Sequence, residues 1–480
     1  MKKKLLSVLL ACTMVLGLCA CGDQAGSAAP EDTADTVQTQ AAADTATADS
    51  ASSETTADTA TVSDQAFGDT IKYDPTVPVN NGEPISIDYW LWTSDELWQS
   101  VMDKYMAIHP NVTINTINNP YDDYWVKLPL ALEGADGPTL FNMHISYHDS
   151  VIKNLAPYDI PLEDIRADFN NVEPHVIDGQ VYYLDTGVMT GSIFYNKDMW
   201  EAAGLTEADI PETWDEFFEV AKKLTIREDG QLIQAGFEFN NYINSNYLMG
   251  IQYQLGQNMF NDDMKTVTIN NDAEVKVMQM LLDAYNVYEV GEADFCEDSI
   301  VSFATGQTAM VSSWGWLNDY MKANFPDINF GVFQVPVFDK NNIYAYNRSN
   351  TESTFGINKN ADPAQIAVAQ DIVKFLLADN ESLLNLALGQ SVFPTKKSLA
   401  NDPALEQNAA LYCLKDTVDQ YVFPGALPSF FETYLAEAGE EILYNGVDIR
   451  TALQTAEDKI NADLAGMDFT ACEDAYTPRK

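Results

Sequence analysis

The sequence predicts an α/β body of mostly parallel sheets with helices on both faces, long enough for two lobes. Two observations carry that reading. Short apolar runs with the two-residue period of strands alternate with amphipathic helices, the pattern of strands joined by helical crossovers. Roughly 400 residues follow a polar N-terminal stretch, ample for two separate cores.

The first element is a strand in which Ile85, Ile87, Tyr89 and Leu91 alternate with Ser86, Asp88 and Trp90. A helix then starts at Thr93 or Ser94, where Thr93-Ser94-Asp95-Glu96 has the form of a capping box. Its buried stripe is Leu97, Val101, Tyr105 and Ile108, and Pro110 stops it before a second strand near Val112 to Ile117. Further apolar runs follow at Ile193 to Tyr195, Thr308 to Val311, Phe330 to Val335 and Thr354 to Ile357. One intervening helix is capped by Thr213 and buries Phe217, Val220, Ala221 and Leu224. Another opens at Pro363, the position where proline costs a helix no hydrogen bond, and carries Ile366, Ala369, Ile372, Val373 and Leu376.

The N-terminus has a different logic. Lys2, Lys3 and Lys4 precede an apolar run from Leu5 to Leu18, and Leu18-Cys19-Ala20-Cys21 closes it. This order reads as a secretory leader over residues 1–20, too short to remain as a membrane-spanning helix. The last four residues resemble the lipobox of bacterial lipoproteins, which implies lipid attachment at Cys21 and an anchor at the outer face of the cell membrane. Residues 21–70 then read as a disordered tether. Between Gly22 and Thr70 there are ten acids, no Lys or Arg, and one aromatic residue, Phe67, so little apolar surface offsets the entropy of ordering. A coil of that length reaches roughly 40 Å.

Charge excludes some partners. The chain has 26 Lys+Arg against 72 Asp+Glu, net -46, and loss of the three leader lysines takes it to -49. Nucleic acid and anionic lipid headgroups would be repelled, so a neutral or cationic ligand is favoured. After cleavage and lipidation the free cysteines are Cys296, Cys413 and Cys472, too widely spaced for a zinc site or a disulfide framework. Cys296 and Cys413 read as small core residues, and Cys472 lies in a polar tail. The absence of a structural disulfide and the long tether point to a Gram-positive envelope.

Several stretches resemble extracellular solute-binding proteins of carbohydrate ABC transporters, the maltose-binding-protein-like type. Phe194-Tyr195-Asn196-Lys197-Asp198, running on to Gly204-Leu205 and then Pro211-Glu212-Thr213-Trp214-Asp215-Glu216-Phe217, is similar to the family's central signature. Phe303 to Met310 with Trp316, the strand Phe330 to Pro336, the turn Val392-Phe393-Pro394-Thr395 and the terminal Ala452-Leu453 with Ile460 follow in the family's order. Two departures fall near the expected cleft: Tyr182-Tyr183-Leu184-Asp185 lacks the family's proline, and Trp314 replaces a glycine. The resemblance implies a two-lobed periplasmic-binding-protein-like fold of type II with a cleft at the hinge. It further implies a monomeric receptor, without cofactor or catalysis, that delivers a carbohydrate to the permease subunits of an ABC transporter. On that basis the lobes are expected as 71–185 and 336–385 for the first, 186–335 for the second, with 386–480 completing the second lobe and the hinge.

A sugar site needs flat rings for the C–H faces and hydrogen-bonding groups for the hydroxyls. In open α/β sheets such a site lies beyond the carboxyl ends of strands. Trp92, Asp95 and Glu96 follow the first strand, although both acids equally suit helix capping. Asn142 and His144 follow a segment that resembles another family strand and become candidates for hydroxyl recognition. Tyr195 and Trp316 match family positions that stack on sugar; Trp314 either extends that platform or packs in the hinge. Phe430, with Phe431 beside it, falls where the family carries a late aromatic residue, and core packing is an equal reading. His144 and His148 stand four apart, without a cysteine or fixed carboxylate to complete a metal site.

Two other classes remain open at this level. A tethered glycan-degrading enzyme would need two carboxyl groups about 5 to 9.5 Å apart, and no motif singles out such a pair. There is no HExxH, GxSxG or glycine-rich phosphate loop. A receptor of the same fold for a cation such as a polyamine would suit the acidic surface, since stacked rings also attract cations.

Overall fold

The computed structural model describes residues 63–92, 95–134, 137–239 and 243–473. The leader, Cys21, most of the acidic tether and the Thr93-Ser94 cap lie outside the described residues.

Lobe 1 grows from β1 (Ile85–Leu91), α1 (Asp95–Ile108), β2 (Val112–Asn118), α2 (Tyr121–Ala131) and β3 (Leu140–Asn142). β1 pairs in parallel with β2 and with β3, and Phe355–Ile357 closes the sheet antiparallel to β3. Alternation in β1 places Ile87, Tyr89 and Leu91 in the core, where α1 meets them with Trp98, Val101, Met102 and Tyr105. The helix Pro363–Ala378 covers the same core; the Asp362 carboxylate accepts from the Ala364 N–H as its cap.

Ser63 to Thr70, expected as tether, is part of this lobe. Phe67 pairs with Tyr73 and sets its ring edge-on to Phe375, and the Thr70 and Ile71 amides donate to the Asp168 carboxylate. A single aromatic side chain with a pocket to enter is enough to bring these residues into the lobe.

Lobe 2 is organised by one long strand, Asp185–Asn196. Its second half pairs with Met310–Trp314 and Phe330–Gln334, its first half with Asn347–Ser353 and Phe393–Pro394, all antiparallel. The expectation of mostly parallel sheets therefore holds in lobe 1 and fails here. The reason is connectivity: Asp185–Asn196 carries the chain out of lobe 1 and Asn347–Ser353 carries it back, so the two adjacent strands run in opposite senses. Helix Trp214–Leu224 has its expected capping box between Thr213 and Glu216 and buries Phe217, Val220, Ala221 and Leu224.

The two cores are separate. The first draws on residues up to Leu184 and again from Phe355 to Leu399; the second takes Ile193 to Val335 and Leu427 to Ala471. The chain thus crosses three times. It re-enters lobe 1 at Phe355 rather than at residue 336, because Val337 still bridges to Thr213 and Ala345 packs with Tyr253 and Val422. It leaves after Leu399 rather than at 385, because Leu386 and Leu399 both sit in the first core.

At the seam Met189, Trp314, Ala387 and Val392 form a small cluster, and Gly187 lies directly under Val392. A Cβ on Gly187 would stand 2.2 Å from the Val392 side chain and 2.8 Å from the Phe393 carbonyl oxygen. Gly187→Ala is therefore expected to destabilise the protein by about 1–3 kcal/mol through overpacking, read as a lower midpoint in chemical denaturation. A midpoint equal to wild type would mean the crossing strands separate more easily than this packing implies.

Among the described residues Cys296, Cys413 and Cys472 are free and half-buried, which corrects the reading of Cys296 and Cys413 as core residues. Among the described residues no helix is long and apolar enough to cross a membrane.

Candidate ligand cleft

Aromatic side chains converge where the strands of lobe 1 end. Trp92 follows β1 directly. Pro120 ends the connection after β2, and the first turn of α2 then presents Tyr121, Tyr124 and Trp125 on one face by their spacing of three and four. Tyr124 is buried and its hydroxyl donates to the Asn142 carbonyl oxygen at 2.7 Å, which fastens α2 to the end of β3.

Around this anchor the Trp92 ring lies 5.1 Å from Trp125, 5.0 Å from Tyr124 and 6.2 Å from both Tyr121 and His144. Tyr147 stacks on Trp125 at 4.1 Å with 4° between the planes. Tyr121 remains 42% exposed, so the cluster shows a ring to solvent. Flat faces held rigid by neighbouring rings form a platform at low entropic cost to a ligand.

Charged groups on the crossing strands and on lobe 2 act on the wall electrostatically. The charges of Glu432, at the start of helix Phe430–Leu443, and of Glu352, on the return strand, both act on the Tyr121 hydroxyl. With burial as the main cause and Tyr147 adding to it, they hold that hydroxyl in its neutral form. Burial, with the Arg348 guanidinium adding to it, pushes His144 down to about 4, so its imidazole is neutral at pH 7. Its Nδ1 accepts from the Ser146 N–H at 3.2 Å, which leaves the proton on Nε2 and makes that atom a donor.

Arg348 itself is 4% exposed and its guanidinium lies over the Trp314 ring at 5.0 Å. Burial, with the Asp185 carboxylate adding to it, pushes Glu352 up to about 7. Asp185, next to it at the foot of the long strand, is bound to His175 Nε2 at 2.7 Å and to the Asn171 amide at 2.6 Å.

The residues singled out from sequence fall into three groups. Trp92 and His144 are in the wall. Asp95 opens α1 and its side chain lies outside the described residues; Glu96 is exposed on the first turn of the same helix. Asn142, by contrast, is 2% exposed and its carboxamide accepts from the buried Tyr89 hydroxyl, so it points into lobe 1 rather than at a ligand.

Tyr195 is also turned away. Its ring packs on Trp200 and Phe333 inside lobe 2, lying across Gly331, where a Cβ would come within 2.4 Å of it. It borders a cavity of about 930 Å³ with Ile210, Phe333, Tyr346 and Tyr412, and none of the wall residues lines that cavity. Trp314 is buried beneath Arg348 in the seam, the hinge-packing alternative. Trp316 is half-buried at the start of helix Leu317–Asn324 with Tyr320 edge-on at 6.0 Å. Phe430 is half-buried, with Phe431 stacked and Tyr434 tilted beside it, and abuts the second core.

Sequence reasoning missed Tyr121, Trp125, Tyr147, Glu352 and Glu432. Tyr121-Asp122-Asp123-Tyr124-Trp125 was detectable, because it sits beyond the carboxyl end of β2 as Trp92 does beyond β1. Nothing local marks Tyr147, Glu352 or Glu432.

Two α/β lobes with three crossings between them, and a ring-lined face at the strand ends of one lobe, define a bilobal binding protein. The chain belongs to the bacterial extracellular solute-binding protein family, whose model matches residues 100–412. It is similar to an arabinooligosaccharide-binding protein of Halalkalibacterium halodurans, at 25% identity over 44% of this chain and 48% of the relative, about half the relative's length. A galactooligosaccharide-binding protein of Bacillus subtilis is 22% identical over 67% of this chain and 75% of its own length. Among solved structures, the maltose/maltodextrin-binding domain of Bdellovibrio bacteriovorus, bound to maltotriose, superposes with a TM-score of 0.67. That match covers 79% of this chain and all of the domain at 18% identity, and it shows the shared fold.

Proposed function

We propose that the protein is a receptor that captures a saccharide between its lobes and presents it, in the closed form, to the permease of an ABC transporter. The observation that carries this is the Trp92–Tyr121–Trp125–Tyr147 wall of packed rings at the strand ends of lobe 1. Packed rings and, beside them, the neutral His144 with Nε2 as a donor match the two chemistries of a sugar, apolar faces and a polar edge. A ligand that bridges the lobes stabilises the closed state by its differential affinity, and three crossings let the lobes move without separating. The relatives' names support the saccharide as cargo. Attachment through a lipid at Cys21, a monomeric state and the absence of catalysis belong to the same reading.

A thermal-shift screen against mono- and oligosaccharides, with spermidine alongside, tests it. A dose-dependent rise with a saccharide, which is recovered intact, is the expected result. A rise with spermidine alone overturns the sugar assignment, and recovery of a cleaved saccharide overturns the receptor. Tyr121→Ala is expected to weaken saccharide binding by about 1 kcal/mol or more and to lower the stability of the free protein only modestly, because this ring, though packed on its neighbours, is 42% exposed. Unchanged affinity by calorimetry in that variant would place the cargo elsewhere.

A further inference from the structure

A cavity of about 930 Å³ opens on lobe 2, apart from the ring wall. One side of it is Phe330–Gln334, which among the described strands pairs only with the long strand and leaves its other edge free. Residues 207–212, ahead of helix Trp214–Leu224, and residues 409–413, beyond the third crossing, contribute the other sides. The volume is that of a small-molecule site, and no residue of the first core lines it.

Rings and unmatched polar groups share this lining. The Tyr195 ring, set by Trp200 at 4.8 Å and Phe333 at 5.6 Å, lies across Gly331, where a side chain would take its place. Tyr346 is braced by Tyr421 at 6.0 Å, and Tyr412 is 51% exposed. Among the described residues the hydroxyls of these three lining tyrosines and the Lys197 ammonium make no hydrogen bond, and Gln334 Nε2 is enclosed without an acceptor. Lys340 pairs with Glu212 at 2.6 Å, and Lys197 and Glu207 are the other charged residues of the lining. The cavity therefore carries no net charge, on a chain whose total is -46.

We infer that this cavity is a second saccharide site, outside the cleft, which takes a neutral sugar unit against the exposed Tyr412 ring and the Gln334 amide. A ligand with flat C–H faces and many hydroxyls answers both features of the lining, since rings take the faces while free hydroxyls, amide and ammonium take the polar edge. An ion would bury its charge where no surplus of the opposite sign meets it, which is costly. Because no lining residue belongs to the first core, the sugar is held whether the lobes are open or closed. The site thus retains glycan at the receptor without driving closure, and the inference does not depend on the ring wall being the cleft.

Hydrogen exchange read by mass spectrometry tests it, because amides on a free strand edge exchange readily until a ligand covers them. Maltotriose, arabinotriose, galactotriose and the anionic trigalacturonate are each added at up to about 10 mM, enough to fill a site of millimolar affinity. A neutral trisaccharide is expected to slow exchange in residues 330–337 and 409–413, and to do so equally in Tyr121→Ala, which alters only the wall. Tyr412→Ala and Gln334→Leu are each expected to shift that protection to about fivefold higher concentration or more, with any protection of residues 121–147 unchanged. Protection confined to residues 121–147 overturns the inference and leaves the cleft receptor standing. Protection of residues 330–337 that appears only with trigalacturonate, or that survives both Tyr412→Ala and Gln334→Leu at the wild-type concentration, overturns the inference as well. Protection of neither region by any of the four sugars overturns both readings.

Discussion

Asp185→Ala is expected to destabilise the protein by about 3–5 kcal/mol, the largest loss expected of any single substitution considered for this molecule. Asp185 and His175 are both almost fully buried where the long strand leaves lobe 1. The carboxylate takes donors from His175 Nε2, from the Asn171 amide and, at 3.5 Å, from the Ser353 hydroxyl on the neighbouring crossing strand. Alanine leaves these donors enclosed without a partner, and buried donors without partners are costly. Asp185→Asn keeps an acceptor in place and is expected to lose less. Chemical denaturation monitored by tryptophan fluorescence gives both values, and a loss under about 1 kcal/mol for alanine would show that water reaches this site in the folded protein.

Glu274→Met is expected to act in the opposite direction, raising stability by about 1–3 kcal/mol at pH 7.5. Glu274 is fully buried in helix Asp272–Asn286, and neither carboxyl oxygen has a hydrogen-bond partner. Burial holds its carboxyl well above the usual range, so the folded protein carries it protonated while the unfolded chain ionises it. Methionine has similar length and flexibility without the polar atoms.

The pH dependence has a definite sign. A carboxyl whose folded pKa is raised supports the fold fully below its unfolded value, near 4.5, and loses that support as pH rises through the folded value. The gain from Glu274→Met should therefore shrink at pH 4. Glu238, buried under Tyr285 and pushed up to about 7 chiefly by burial, behaves alike, as does Glu352. In the other direction, Asp168 is held low by the Ile71 and Thr70 amides and supports the fold above the ordinary carboxylate range. Melting temperature is thus expected to peak on the acid side of neutrality. A maximum at pH 8 would contradict the burial of Glu238 and Glu274.

The sequence by itself determined the local elements and the class. The alternation in β1, the Thr213–Glu216 capping box, the Pro363 start and the periodicity of their helices depend only on neighbours along the chain, and local sterics and hydrogen bonds enforce them. It also singled out Trp92 and His144, which the structure brings together in one ring cluster, because the rule that ligands lie beyond strand ends needs only the order of elements. Tertiary structure decided the rest. Whether Tyr195 faces a ligand or Trp200 depends on which side of the long strand is covered, and strand residues inside a body buried on both faces carry no periodic signal to tell. Asn142 turned inward because the Tyr89 hydroxyl, from a separate strand, was there to donate to it. The antiparallel second sheet followed from the chain crossing between lobes and returning. Glu352 and Glu432, about 80 residues apart, act on the same Tyr121 hydroxyl, and such an environment is defined only by what surrounds a group in space, which no stretch of sequence contains.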